Sequence, residues 1–137
     1  DLRVKASVLR SHMNLGGELI PGLIDEIPLL AVTAAAAGIN FKLQGAADLR
    51  HKESDRILST VSNLRKMGLV VEEYPDGFEF EATKHMHGAD IPSFQDHRIA
   101  MAFGVVGLRI PGVVIRDSGC VDISFPGFWD KLFAVLR

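Results

Sequence analysis

Cysteine is nearly absent from this chain. Cys120 stands alone among 137 residues, so no intrachain disulfide can form, and a reducing compartment, the cytoplasm, is the expectation. An excess of one charge is also missing. Fifteen Lys and Arg stand against 17 Asp and Glu, a net charge of -2, which argues against a general nucleic-acid binder, whose footprint is a basic surplus. Long hydrophobic runs are lacking too. The longest uncharged apolar stretch, residues 27–41, contains Pro28, Gly38 and Asn40 and falls short of the roughly 20 residues that span a bilayer. No partner membrane is therefore expected. The histidines His12, His85 and His87 form no metal-ligating spacing with cysteine. There is no Gly-rich nucleotide loop and no Ser/His/Asp order of a hydrolase, so neither metal nor cofactor is expected. The chain begins at Asp1 with no methionine and no signal-peptide pattern. Its first residues, Leu2-Arg3-Val4-Lys5-Ala6, alternate as a strand would, and the chain is expected to be a piece of a longer protein.

What is present is ordinary in bulk and unusual in arrangement. Apolar residues make up 47% and charged residues 23% of the chain, enough for one compact domain with a core. An internal repeat shows as a constant offset. Asp25 opens the apolar run from Ile27, and Asp96, 71 residues later (96 − 25), opens the run from Ile99. Leu43 maps to Val114, Glu53 to Ser124, and Leu58, Val61 and Leu64 to Trp129, Leu132 and Val135 at the same offset. Each half reads as helix, strand, helix. The spacing predicts helices over 26–37, capped by Asp25 and stopped by Gly38, and over 54–67, ending at Gly68. It also predicts helices over 97–108 and from Pro126 to Leu136. Strands are expected over 39–44 and 113–116, with a hairpin over 69–80 turning at Pro75-Asp76-Gly77. The run Ala34-Ala35-Ala36-Ala37 suits a helix packed closely on all sides. The fold class that follows is α/β (α+β), with helices packed against mixed sheets.

Two clusters can carry chemistry. In Arg50-His51-Lys52-Glu53-Ser54-Asp55-Arg56 cations and carboxylates alternate where a helix should begin. Placed on that helix, Lys52 and Arg56 are i and i+4 on one face and repel unless an anion sits between them. A helix N-terminus adds free N–H groups and a positive dipole end. Arg56 could clamp a carboxylate bidentately, and Glu53 beside the cations could shuttle a proton. On charge pattern alone a solvated helix start with surface ion pairs is the favoured reading. Asp96-His97-Arg98 repeats the arrangement: Asp96 is a natural N-cap, and cations in the first turn are disfavoured unless they bind an anion. Asp25 is read first as a cap; facing a cleft, it could act as a base toward a hydroxyl.

Four segments then point to a family. Leu23-Ile24-Asp25-Glu26-Ile27-Pro28, Lys52-Glu53-Ser54-Asp55-Arg56, Asp96-His97-Arg98-Ile99-Ala100-Met101 and Ser124-Phe125-Pro126-Gly127-Phe128 occur in this order. Together they closely resemble the 5-enolpyruvylshikimate-3-phosphate synthases of the shikimate pathway, over almost the whole chain. The sister family of UDP-N-acetylglucosamine enolpyruvyl transferases shares the fold and matches these motifs less well. A non-catalytic anion-binding scaffold is the third alternative.

The resemblance implies repeated βαβαββ units, here about 14–83 and 84–137, forming part of a C-terminal domain in a much longer, two-domain enzyme. It implies transfer of the enolpyruvyl group of phosphoenolpyruvate to the 5-hydroxyl of shikimate 3-phosphate, with release of phosphate. Carried over by motif, Asp25 resembles the residue that binds and deprotonates the hydroxyl, and Glu53 the proton donor and acceptor at the methylene carbon. Asp48 and Lys52 resemble contacts on the shikimate 3-phosphate side. Arg56 and Arg98, with His97 beside them, resemble the phosphoenolpyruvate clamps. The N-terminal residues that grip both substrates in the family are not in this chain, so it is expected to be inactive alone and to need the missing part of its own chain. Some members carry a lysine just before the Ser/Thr-Phe-Pro motif; here that position is Ile123.

Overall fold

A computed structural model of the chain describes residues 3, 5, 8, 9 and 11–135. The strand expected over 2–6 rests on Leu2, Val4 and Ala6, which lie outside the described residues.

The first half runs β1 (His12–Leu15), a 3₁₀ turn, the short helix α1 (Ile20–Leu23), α2 (Ile27–Ala37) and β2 (Asn40–Leu43). A 3₁₀ helix (Ala47–His51), α3 (Arg56–Lys66) and the hairpin β3 (Val71–Tyr74) and β4 (Gly77–Phe80) follow. These form a mixed four-stranded sheet in the order β1-β2-β4-β3, with β1 and β2 parallel and the other pairs antiparallel. The second half runs β5 (Asp90–Pro92), α4 (His97–Gly107), β6 (Val114–Arg116), a 3₁₀ helix (Ser118–Ile123) and α5 (Phe128–Ala134). Its two strands pair in parallel. No closing hairpin follows α5 among the described residues. The class is mixed α/β with helices packed on mixed sheets, as the sequence predicts.

The pattern of each element explains its packing. In β2, Phe41 and Leu43 alternate with Asn40 and Lys42 and point into the core. Phe41 stacks between Phe78 and Phe80 of β4, with both centroid separations 5.4 Å. The amphipathic α3 buries Ile57, Val61 and Leu64. The apolar helices α2 and α4 pack against each other across the boundary between the halves. Gly38, with φ of +70°, ends α2 in the left-handed conformation that favours glycine.

Several expectations need correction. Asp25 does not cap α2. The chain enters that helix through a helical turn, Glu26 N–H donating to Leu23 C=O at 2.8 Å. Glu26 occupies the cap position in a helical conformation, and Pro28 in the first turn removes an N–H that a cap would satisfy. The alanine run is not packed on all sides: Ala34 and Ala35 are buried, while Thr33 and Ala37 are exposed. The second helix starts at Arg56 rather than at residue 54, because Asp55 in extended conformation accepts from Leu58 N–H at 2.9 Å and fixes the start there. Pro126 lies before the last helix, which begins at Phe128 after Gly127 turns the chain with φ of +75°. Residue 136 lies outside the described residues. The sequence reading had no counterpart for β1, β5 or the 3₁₀ helix over 118–123.

Candidate active site

The residues singled out by the sequence converge where α3, α4 and the turn before α2 meet. That turn, residues 24–26, presents Asp25. The 3₁₀ helix over 47–51, anchored by buried Leu49, ends at Lys52 in extended conformation. Residues 52–55 therefore form a bent loop, extended at Lys52 and Asp55, rather than a helical turn. This overturns the expectation that Lys52 and Arg56 share one helix face as an i, i+4 pair. They are brought near each other by the loop and by Asp25, not by helical periodicity.

Arg56 is the centre of the cluster. Its side chain is 1% exposed, and carboxylates from three parts of the chain surround it. Nε donates to Asp96 Oδ2 at 2.8 Å, Nη1 to Asp25 Oδ1 at 2.8 Å, and Nη2 to Glu53 Oε2 at 2.5 Å and Asp96 Oδ1 at 3.4 Å. Burial alone would lower the guanidinium pKa. The hydrogen bonds and charges of the surrounding carboxylates, Asp96 foremost, outweigh burial and raise it. Arg56 is thus a fixed positive charge whose forks are met by the chain's own carboxylates.

Asp96 is the reciprocal hub. It is fully buried, caps α4 by accepting from Arg98 N–H at 2.9 Å, and also accepts from the Ser54 hydroxyl at 3.0 Å. Burial pushes its carboxyl upward. The Arg56 hydrogen bond and charge, the Arg98 N–H and the Ser54 hydroxyl outweigh this and hold it below its ordinary value of 3.8. The cap role expected of Asp96 is present. Its links to Arg56 and Ser54, which are 40 and 42 residues away in sequence, had no sequence signal.

Asp25 is the exposed counterpart, with 44% of its side chain open. Beyond Arg56 it faces Arg98 Nη2 at 3.6 Å and Lys52 Nζ at 4.0 Å. Arg98, in the first turn of α4, escapes the unfavourable helix dipole by reaching across the halves. Its Nη1 donates to Asp25 C=O at 3.1 Å and to Glu26 Oε1 at 3.0 Å. Glu26 and Ser54 are site residues the sequence reading missed, since each is recognisable only by its partner across the fold. Glu53 and Lys52 come from the same loop and are 52% and 31% exposed, Glu53 with its carboxylate on Arg56 and Lys52 with Nζ 4.0 Å from Asp25.

Two expected residues are not drawn in. Asp48 is exposed on the 3₁₀ helix over 47–51 and makes no side-chain hydrogen bond or ion pair among the described residues. His97 is half-buried at the first position of α4, also without a side-chain partner among them. Ile123 is 82% exposed at the end of its 3₁₀ helix. Among the described residues no group of three or more His, Cys, Asp or Glu is arranged to hold a metal ion, and no single helix is long and apolar enough to cross a membrane.

Seven charged side chains thus meet within one cluster: Lys52, Arg56 and Arg98 against Asp25, Glu26, Glu53 and Asp96. The mixture offers exposed carboxylates able to exchange protons beside cations able to hold an anion.

Known proteins resemble this chain. The family model described as EPSP synthase (3-phosphoshikimate 1-carboxyvinyltransferase) matches residues 1–132. The 3-phosphoshikimate 1-carboxyvinyltransferase of Aquifex aeolicus is 51% identical over all of this chain and 32% of its own length. That of Thermodesulfovibrio yellowstonii is 44% identical over 96% of this chain and 31% of its own. The solved EPSP synthase of Acinetobacter baumannii superposes with a TM-score of 0.82 at 36% identity, covering 91% of this chain and 30% of that one. The chain spans about a third of the length of the curated relatives it matches. Fold, motif order and these similarities agree: the chain belongs to the EPSP synthase family.

Proposed function

We propose that the full-length protein containing this chain transfers the enolpyruvyl group of phosphoenolpyruvate to the 5-hydroxyl of shikimate 3-phosphate, in a cytoplasmic biosynthetic setting. Residues 14–83 and 84–137 are read as two repeat units of its C-terminal domain. The observation that carries the proposal is the convergence of Asp25, Lys52, Glu53, Arg56 and Arg98 at the family's motif positions. In the addition step the hydroxyl oxygen bonds to C2 of phosphoenolpyruvate, Asp25 takes the hydroxyl proton, and Glu53 gives a proton to the methylene carbon. In the elimination step Glu53 takes a proton back from that carbon and the C2–O bond to phosphate breaks, and the phosphate leaves with the proton that Asp25 had taken, which returns both carboxyl groups to their starting states. Lys52, with Asp48, serves the shikimate 3-phosphate side. Arg56 and Arg98, beside His97, supply the positive field for phosphoenolpyruvate.

The charge count supports a half-site. With every group ionised, four carboxylates outnumber three cations in the cluster, so two anionic substrates need further cations. Part of that charge is assigned to the rest of the polypeptide, and this chain alone is expected to turn nothing over. A non-catalytic scaffold is the reading favoured by one observation, that Arg56 is buried and engaged by its own carboxylates. The deciding measurement is phosphate release by the full-length protein from phosphoenolpyruvate plus shikimate 3-phosphate. Steady release is expected, and its absence would sink the transferase reading. Glu53→Gln should lower kcat by about 10²–10⁴-fold while changing substrate affinity much less; equal losses in both would remove Glu53 from the proton-transfer role.

A further inference from the structure

Arg50 lies outside the cluster and is held by a second network. Its guanidinium joins three parts of the chain: Nε donates to Pro75 C=O at 2.8 Å, Nη2 to Tyr74 C=O at 2.6 Å and Glu73 Oε1 at 3.1 Å, and Nη1 to Asp55 Oδ2 at 2.8 Å. The other oxygen of Asp55 caps α3 through Leu58 N–H. Arg50 therefore ties the β3–β4 hairpin tip to the residue that fixes where α3 begins. The hairpin tip is itself pinned to the same neighbourhood. Gly45 N–H donates to Asp76 Oδ2 at 2.9 Å and Ala46 N–H to Asp76 C=O at 2.8 Å. Gly77 sits so close to β2 that an added Cβ would collide with Leu43 C=O.

The loop 52–54 hangs between two fixed points, Arg50 and Asp55. It carries Lys52 and Glu53, neither of which is buried. The far end of the loop has tethers of its own, Glu53 Oε2 on Arg56 at 2.5 Å and the Ser54 hydroxyl on Asp96 at 3.0 Å, so it is the path into the loop from residue 50 that is left to the Arg50 anchor. The geometry points to Arg50 as a positioning residue: through Asp55 and the hairpin tip it holds the loop so that Glu53 meets Arg56 and Lys52 approaches Asp25. Arg50 has no part in the acid–base or anion-binding steps proposed above. The inference rests on the roles given there to Lys52 and Glu53.

The test uses the full-length protein with Arg50→Ala, Arg50→Lys and Asp55→Asn. Asparagine keeps the oxygen that caps Leu58 and loses the ion pair, so it separates positioning from helix capping. In amide hydrogen exchange, all three variants should speed exchange in residues 51–58 and leave α2 and α4 at the wild-type rate. Uniformly faster exchange, or no local change, overturns the proposal, and this arm does not depend on activity. In turnover, Arg50→Ala should lower kcat by about tenfold, since displacement of a reacting group on the order of 1 Å can cost up to a hundredfold. Arg50→Lys should recover part of the loss. In the Glu53→Gln background the same Arg50→Ala change should cost less than it does in the wild type, because part of its effect runs through Glu53. Full additivity, or wild-type kcat with only a lowered Tm, overturns positioning. A wild-type protein that releases no phosphate refutes the transferase reading instead, and the exchange pattern then still decides whether Arg50 orders the loop.

Discussion

Asp25 and Asp96 stand 71 residues apart, each just ahead of an apolar helix, and their fates in the fold are opposite. Asp96 is fully buried, caps its helix and carries a lowered pKa. Asp25 caps nothing and is nearly half-exposed, with three cations within 4.0 Å. Arg56 lies between them and bonds both at 2.8 Å. The same residue type, each time just ahead of an apolar helix, thus becomes a structural anchor in one half and an accessible carboxylate in the other. What separates them is solvent: a carboxylate sealed with its partner cannot reach a substrate, while one at the rim can.

This contrast can be broken at its centre. Arg56→Met in the full-length protein should have the largest effect, leaving buried Asp96 without its cation and costing about 3–5 kcal/mol of stability by denaturant unfolding. A loss near zero would mean that Asp96 finds another partner.

Asp96 gives the next largest effect. Asp96→Asn should destabilise by about 1–3 kcal/mol, the cost of a weakened buried polar network. It should also change the acid limb of the stability curve. The folded-state pKa of Asp96 lies below its ordinary 3.8. Its contribution is therefore fully present above that ordinary value and is lost as pH falls through the lower folded-state value. Unfolding measured from pH 5 downward should show a shallower loss in Asp96→Asn than in the wild type. Matching slopes would take Asp96 out of the acid transition.

The smallest stability change is expected at Asp25. Asp25→Asn should shift stability by less than about 1 kcal/mol, as befits a half-exposed ion pair, yet lower kcat by about 10²-fold or more. A large stability loss with intact turnover would erase the contrast with Asp96.

The local chemistry of several elements was legible in the sequence. Asp96 as a cap, Gly38 as a stop, the hairpin around Pro75-Asp76-Gly77 and the amphipathic face of α3 follow from neighbours within a few residues, and the structure has each of them. The strands β1 and β5 were not legible: His12–Leu15 alternates polar and apolar over only four residues, and β5 has three. Asp25 misled for the opposite reason. Its context reads as a cap, but α1 leads into α2 through a helical turn that leaves no cap position for it. Lys52 and Arg56 misled because their i, i+4 spacing means a shared face only on a helix, and Asp55 starts that helix after Lys52.

The sequence by itself determined four helices, α2 to α5, the hairpin, the mixed α/β class and the motif residues whose order marks the family. These depend on periodicity and capping, which act over a few residues. Only the tertiary structure decided which charges are sealed and which are open. It put Arg56 against Asp25, Glu53 and Asp96, joined Ser54 to Asp96 and Glu26 to Arg98, and left Asp48 and His97 without partners among the described residues. Apart from Glu53 and Arg56, three residues apart, these pairs join residues 31 to 72 positions apart, and no local pattern encodes that distance.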